Sequence, residues 1–111
     1  MRLFVLAALA LAVVAGAHAA PGVVPRQLVG TWAISNSTLT IKSNGHGVLH
    51  AGTEVIPETV TGARTTVTFK DAYCPKGTYT WKVAGKKLTL HAVHDTCVIR
   101  RNSLNGTWTR R

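Results

Sequence analysis

The chain has 111 residues and a formal net charge of +9, with 13 lysines and arginines against four acidic residues. This length corresponds to one domain and excludes a multidomain architecture. The basic balance favours anionic partners, such as nucleic acid, acidic polysaccharide or a membrane surface, although it can equally serve solubility alone. The basic residues are scattered and form short pairs rather than a run.

Residues 1–19 are predicted to be a secretory signal peptide. Arg2 supplies a positive start, an apolar run follows from residue 3 to residue 14, and Ala17-His18-Ala19 matches the small-x-small cleavage pattern. Cleavage after Ala19 removes Arg2 and lowers the net charge from +9 to +8. The apolar run is too short for a stable membrane span, and no later stretch can cross a bilayer. We therefore expect a secreted, extracellular monomer without a transmembrane segment.

Both cysteines, Cys74 and Cys97, lie after the signal peptide and would enter an oxidising compartment. A disulfide between them is the default prediction. It would close a loop of about 23 residues and contribute roughly 3 kcal/mol on the chain-entropy model. The alternative is a pair of metal-ligating thiolates, which the absence of a CxxC unit disfavours.

The remaining chain divides into an extended lead-in, residues 20–28, and a single β domain, residues 29–111. Pro21 and Pro25 disfavour a helix in the lead-in. Apolar and polar residues then alternate with the period of half-buried strands. The clear strands cover about 29–34, 38–42, 47–51, 65–70, 78–83, 86–90 and 104–108.

The middle of the domain is less regular. Because Pro57 has no backbone N–H to donate, Val55-Ile56 is expected to form an edge strand or a loop. A separate short strand is expected over 58–61. No helical periodicity of useful length follows the signal peptide, and a polar loop is expected around Cys97. Seven or eight strands with frequent turns predict a small antiparallel meander barrel with one disulfide.

The alternation also predicts the core. An eight-stranded barrel is just wide enough to be filled by side chains, so any cavity should be shallow and lie at one mouth. The residues expected to face inward are Trp32, Ile34, Leu39, Ile41, Leu49, Val60, Val67, Phe69, Tyr79, Trp81, Val83, Leu88, Leu90, Leu104 and Trp108.

Gly30-Thr31-Trp32, near the start of the first strand, resembles the Gly-x-Trp motif of lipocalins and related calycin barrels. In that family the tryptophan plugs the closed end of the barrel, and an arginine after the last strand packs across the indole. The resemblance implies a barrel-closing role for Gly30, Trp32 and either Arg110 or Arg111, through a cation–π contact.

The last third of the chain looks like short bacterial lipocalin-like secreted domains. The matching segments are Cys74-Pro75, 77–81, 88–90, 95–97 and 106–108. True lipocalins are far longer and have deeper cups. The resemblance therefore implies a fold more firmly than it implies a ligand.

Two functions from different classes are compatible with this chain. The first is a binding module that holds a small apolar or amphipathic ligand at the mouth, with Tyr79, Trp81, Leu49 and Phe69 as contact residues unless they simply form the core. The second is an interaction or inhibitor protein whose outer surface binds a protein partner or an anionic polymer. The basic residues expected to carry that contact are Lys86, Lys87, Arg100 and Arg101.

No enzyme, metal or cofactor is expected. The chain contains no nucleophile elbow, metal-binding His-Glu-x-x-His helix or phosphate-binding glycine loop. The spacing of His46, His50, His91 and His94 does not bring three or four ligands together.

Overall fold

The computed structural model of the protein describes residues 24–111, so the predicted signal peptide lies outside the described residues. The described chain is a closed barrel of eight antiparallel strands with one short α-helix, which confirms the all-β prediction. A single 3-10 turn, Arg26–Leu28, precedes the first strand, and the helix α1 spans Val98–Leu104. The strands are β1 Gly30–Ile34, β2 Ser37–Ile41, β3 His46–Ala51, β4 Glu54–Gly62, β5 Thr66–Lys70, β6 Gly77–Ala84, β7 Lys87–His94 and β8 Gly106–Arg110.

Each strand pairs with the next along the chain, and β8 closes the barrel by pairing with β1. Successive connections in such a meander lie at alternate ends of the barrel. One end, called the closed end, carries the β2–β3, β4–β5 and β6–β7 hairpins, the start of β1 and the end of β8. The other end, called the mouth, carries the β1–β2 and β3–β4 hairpins, the β5–β6 loop over residues 71–76, and the α1 connection between β7 and β8.

Strand β4 runs without a break through Pro57, so the separate short strand predicted over 58–61 is wrong, whereas the edge position predicted for Val55-Ile56 agrees with the structure. Residues 54–59 pair with β3, whereas β5 pairs only with residues 59–62. The half of β4 that contains Pro57 therefore has one free side, where a missing N–H costs no ladder bond. The same free side opens the barrel wall toward the mouth.

Helix α1 occupies the segment for which the sequence predicted a polar loop, and that prediction is wrong. Its buried residues are Arg100 and Leu104, one turn apart, whereas Val98 and Ile99 are exposed. An arginine on the buried face removes the amphipathic pattern by which a helix is recognised. Leu104 is buried as expected, but from the end of the helix, because the last strand begins only at Gly106.

The core contains every apolar residue that the sequence placed inward. Ile34, Trp81 and Val83 are partly buried and pack against the fully buried set. The lead-in contributes Val24 and Leu28, which the strand pattern did not predict. The start of the described chain therefore belongs to the closed end of the core.

The two strands that close the barrel, β1 and β8, follow the same local motif. Residues 28–32 and 104–108 share the pattern Leu-x-Gly-Thr-Trp. In both copies the tryptophan is fully buried, and its Nε1–H donates to the carbonyl of the leucine four residues earlier, over 3.0 and 2.9 Å. Both glycines have a φ of +140°, a backbone conformation that residues with a Cβ rarely adopt. The motif thus positions one tryptophan from each end of the barrel.

Arg110 covers Trp32 at the closed end. The guanidinium carbon lies 4.1 Å from the centroid of the ring, which is a cation–π contact. The same guanidinium donates from Nη1 to the Val29 carbonyl over 2.9 Å and from Nη2 to the Gln27 carbonyl over 3.0 Å. A Cβ at Gly30 would lie 2.5 Å from Arg110 Nη1, so the glycine provides the room for the arginine.

We predict that Arg110→Ala lowers the free energy of unfolding by about 2 kcal/mol, because it removes a cation–π contact and two charged hydrogen bonds. Arg111→Ala is the matched control, since the Arg111 side chain is exposed and its backbone N–H, which donates to the Thr31 carbonyl over 2.8 Å, is retained. The control should change stability by less than about 0.5 kcal/mol. Urea unfolding measures both, and equal losses would show that Arg110 has no special part in closing the barrel.

Candidate functional site at the barrel mouth

The mouth contains a cavity of ≈ 460 Å³ that is open to solvent. Its apolar wall consists of Leu49 from β3, Ile56 from β4, Tyr73 from the β5–β6 loop and Ile99 from α1. Tyr73 and Ile99 are 78% and 74% exposed, so they form the rim. A concave, largely apolar surface with a few polar groups is the usual setting of a small-molecule site.

The Cys74–Cys97 disulfide, which the sequence predicted, is part of the cavity wall. It joins the β5–β6 loop to the N-terminal end of α1, with the two Cα atoms 5.8 Å apart. These two segments lie outside the strand ladder, and the bridge therefore holds the rim of the mouth together.

Arg100 is the central residue of an ion cluster beneath the cavity. It is 3% exposed, although arginine is rarely buried. Its Nε and Nη2 atoms donate to the two carboxylate oxygens of Asp95, each over 2.9 Å, and Nη1 donates to Asp71 Oδ2 over 3.1 Å. Nη2 also donates to the Pro75 carbonyl. A buried charge is tolerated only with such complete pairing.

Asp95 anchors the cluster to the strands. Besides the guanidinium of Arg100, its carboxylate accepts hydrogen bonds from the Tyr79 hydroxyl and, over 2.9 Å, from the Cys97 backbone N–H. Burial opposes its ionisation, but Arg100, Tyr79 and Cys97 outweigh burial and hold the pKa of Asp95 below its ordinary value. Any Cβ at Gly77 would overlap the Asp95 carboxyl, so the glycine at the start of β6 makes space for this group.

Asp71 connects the cluster to the β5–β6 loop. Its Oδ1 atom accepts the backbone N–H groups of Tyr73 and Cys74, over 2.9 and 3.1 Å, and its Oδ2 atom accepts Arg100. Burial opposes its ionisation, but the Tyr73 N–H, the Glu58 carboxyl and Arg100 outweigh burial and hold the pKa of Asp71 below its ordinary value. Asp71 and Asp95 are therefore both anions against the single cation of Arg100.

Glu58 lines the same cavity and lacks a comparable partner. It is 4% exposed and faces inward from β4, opposite Gly47 of β3. Neither carboxyl oxygen receives a hydrogen bond from any donor among the described residues. Burial, reinforced by the neighbouring Asp71 carboxylate, raises the pKa of Glu58 to about 9. At neutral pH Glu58 is thus a neutral acid, whose proton can be donated to Asp71.

Of the four residues predicted to contact a ligand, Leu49 lines the cavity. Tyr79 and Phe69 are fully buried below it, with ring centroids 5.6 Å apart in an edge-to-face arrangement. The structure places Trp81 on the closed half of β6, where its Nε1–H donates to the Ala63 carbonyl over 2.9 Å. The structure does not bring these four side chains to one surface.

The four basic residues predicted for an anionic partner are also separated. Lys86 and Lys87 form an exposed pair in the β6–β7 hairpin at the closed end. Arg100 and Arg101 lie in α1 at the mouth, where Arg100 is buried in the ion cluster and Arg101 donates to the Asp95 backbone carbonyl over 3.1 Å.

The barrel instead separates charges that are scattered along the sequence. All four carboxylates lie at the mouth, where three line the cavity and Asp95 binds Arg100. Four basic residues lie toward the mouth: Lys70, Lys76, Arg100 and Arg101. The other eight basic residues between positions 24 and 111 lie in the closed half: Arg26, Lys42, Arg64, Lys82, Lys86, Lys87, Arg110 and Arg111.

The four histidines of the described chain, His46, His50, His91 and His94, are all exposed. Within residues 24–111, no three His, Cys, Asp or Glu side chains are grouped so that they could hold a metal ion. The same residues include no helix with the length and apolar character needed to span a membrane.

Comparisons of the chain with protein-family models, with curated proteins and with solved structures find no match. The eight-stranded antiparallel barrel is compatible with a lipocalin-like fold.

The buried Glu58 predicts an unusual pH dependence of stability. Between its unfolded pKa near 4.5 and its folded pKa of about 9, the folded state binds one proton more than the unfolded state. Stability should therefore fall as the pH rises from about 5 to about 9. Glu58→Gln removes this proton linkage, so its melting temperature should change less over that range and should exceed the wild-type value at the alkaline end.

Thermal unfolding followed by circular dichroism measures this difference. Glu54→Gln is the control, because Glu54 is an exposed carboxylate on the same strand and should leave the wild-type pH slope unchanged. Below about pH 4 all three proteins should lose stability together, since Asp71 and Asp95 lose their ionised forms. Parallel wild-type and Glu58→Gln curves between about 5 and about 9 would contradict the assignment of a buried neutral acid.

Proposed function

We propose that this protein is a secreted, lipocalin-like binding module that holds a small amphipathic molecule in the cavity at the mouth. The observation that supports this function best is an apolar cavity whose wall includes a buried carboxyl group without a donor partner. An unsatisfied buried polar group costs about 1–3 kcal/mol. A ligand with a polar head and an apolar chain would satisfy that group and cover the apolar wall.

The ligand's apolar part would lie against Leu49, Ile56 and Ile99, which come from three different elements around the mouth. The disulfide and the Arg100 cluster hold α1 in place, and Leu49 and Ile56 lie opposite each other on paired strands, so the site requires little ordering on binding. The shallow cavity favours a small molecule or one chain of a larger molecule, whose remainder would project into solvent. In this proposal the protein binds its ligand and does not transform it.

The neighbouring residues Ile56 and Val55 provide a matched test. Ile56 faces the cavity, whereas Val55 points outward and is 56% exposed. Ile56→Gln should weaken the binding of the neutral fluorescent probe N-phenyl-1-naphthylamine about tenfold, because the substitution removes apolar contact between the cavity wall and the probe. Val55→Gln makes a similar chemical change on the outer surface and should leave the affinity unchanged.

Fluorescence titration at about 0.05 M and about 0.5 M salt completes this test. Apolar binding should be nearly insensitive to salt, unlike binding to a charged surface. If the wild-type protein shows no saturable probe fluorescence, or if the two substitutions weaken binding equally, the proposed site is refuted.

One observation favours a second candidate function, in which an anionic polymer binds the closed half. Eight basic residues and no acidic side chain lie in that half of the described barrel, and seven of the eight are exposed. Such a one-signed surface attracts polyanions by releasing their condensed counterions. This candidate uses the opposite end of the barrel from the cavity and is compatible with ligand binding.

The closed-end candidate predicts a position-dependent effect of charge reversal. Lys86→Glu with Lys87→Glu should lower the salt concentration that elutes the protein from a sulfated polysaccharide column, because both lysines lie in the basic half. The matched control, Lys70→Glu with Lys76→Glu, makes the same change in net charge toward the mouth. The control should shift elution less, and equal shifts would mean that only net charge is sensed.

A further inference from the structure

The buried cluster beneath the cavity contains more negative than positive charge. Asp71 and Asp95 are ionised carboxylates, and Arg100 is the cation that pairs with both. Even with Glu58 protonated, the buried cluster of Asp71, Asp95 and Arg100 has a net charge of −1. A ligand that enters this site therefore meets a buried cluster whose net charge is opposite in sign to that of the whole chain.

Arg100 cannot supply the missing positive charge to Glu58. A guanidinium has five N–H donors, and four of those on Arg100 are used by Asp95, Asp71 and the Pro75 carbonyl. The salt bridges of Arg100 to Asp71 and Asp95, at 3.1 and 2.9 Å, fix its plane within the cluster. Both Glu58 oxygens are consequently left without a donor.

We infer that the Glu58 carboxyl receives the primary ammonium group of an amphipathic amine, whose apolar chain lies against Leu49, Ile56 and Ile99. This inference rests on the proposed ligand-binding function and names the chemical class of its ligand. An ammonium group has three N–H donors and one positive charge. It can therefore supply donors to both Glu58 oxygens and to Asp71, and its positive charge balances the negative charge that Glu58 acquires when it loses its proton.

Other head groups fit this site less well. A carboxylate head would bring a third anion beside Asp71 and Asp95, and like charges at close range are mutually destabilising. An alcohol head has one O–H donor and no charge, so it can satisfy one Glu58 oxygen but cannot form an ion pair with a Glu58 carboxylate. The expected order of affinity for a common alkyl chain is amine, then alcohol, then carboxylate.

Binding of the amine moves a proton in a defined way. The primary amine arrives protonated, because its pKa lies well above neutral, and it keeps its proton in the site. Glu58 releases its proton to solvent and becomes the carboxylate that pairs with the ammonium. About one proton should thus be released for each amine bound at neutral pH, and none for each alcohol.

The charged and titratable groups near Glu58 come from several elements. Asp71 faces it from the β5–β6 loop, and Arg100 and Asp95 act on it from the cluster. Glu54 lies on the same face of β4 at the cavity edge, and His46 and Lys70 line the adjoining outer cleft. Of these, Glu54 provides the best control for a general electrostatic attraction.

The inference is tested with octylamine, 1-octanol and octanoate, which share one alkyl chain. The methyl NMR signals of Leu49, Ile56 and Ile99 report binding at the mouth and also show that each variant is folded. Octylamine should bind the wild-type protein about tenfold more tightly than 1-octanol, the increment of one charged hydrogen-bonded contact. Octanoate should bind most weakly of the three.

Glu58→Gln and Glu54→Gln separate a specific contact from general attraction. The first should weaken octylamine binding about tenfold and leave 1-octanol binding within about twofold. The second should change octylamine binding by no more than about twofold, because Glu54 is exposed. Calorimetry in two buffers of different ionisation enthalpy should show proton release with octylamine only.

The outcomes distinguish this inference from the function on which it rests. If 1-octanol shifts the mouth methyl signals but octylamine binds no better, or Glu58→Gln leaves octylamine affinity unchanged, the inference is overturned and the binding function stands. If none of the three compounds shifts those signals, both are overturned. If Glu54→Gln and Glu58→Gln weaken octylamine binding equally, the contact is a general attraction and the assignment of Glu58 is wrong.

Discussion

The mouth of this barrel depends on the burial of Arg100. A desolvated guanidinium is tolerated only when its donors are matched, and here Asp95, Asp71 and the Pro75 carbonyl match them. Asp95 follows the end of β7, and Asp71 and Pro75 lie in the β5–β6 loop. The Arg100 side chain therefore holds α1, the end of β7 and the β5–β6 loop together. Because Arg100 is committed to these partners, Glu58 remains buried beside an anion without a donor of its own.

The closed end of the barrel is covered by different interactions from those at the mouth. Trp32 is covered by Arg110 at this end, and the basic residues around it face water. The mouth instead contains the four acidic residues and the cavity. The two ends of the barrel therefore differ in both charge and shape. The Leu-x-Gly-Thr-Trp motif leads into β1 at the closed end and into β8 at the mouth.

The strands, the core and the disulfide could be predicted from the sequence, because alternation with period two and a cysteine pair after a predicted signal peptide have direct structural meaning. Helix α1 could not, since its buried face is made by Arg100 while Val98 and Ile99 face solvent. Glu58 was missed for a related reason. A glutamate in a strand pattern is normally assigned to the outer face, and only the barrel geometry shows that it faces inward.

The central claim is that the mouth holds a neutral carboxylic acid without a donor partner beside two ionised carboxylates. Carbon-13 NMR of the side-chain carboxyl carbons, followed as a function of pH in the unliganded protein, measures this directly. The structure predicts that the Glu58 signal titrates at a pKa of about 9, while Asp71 and Asp95 stay ionised to well below their ordinary range. A Glu58 signal that titrates near its ordinary value of 4.5 would contradict the account.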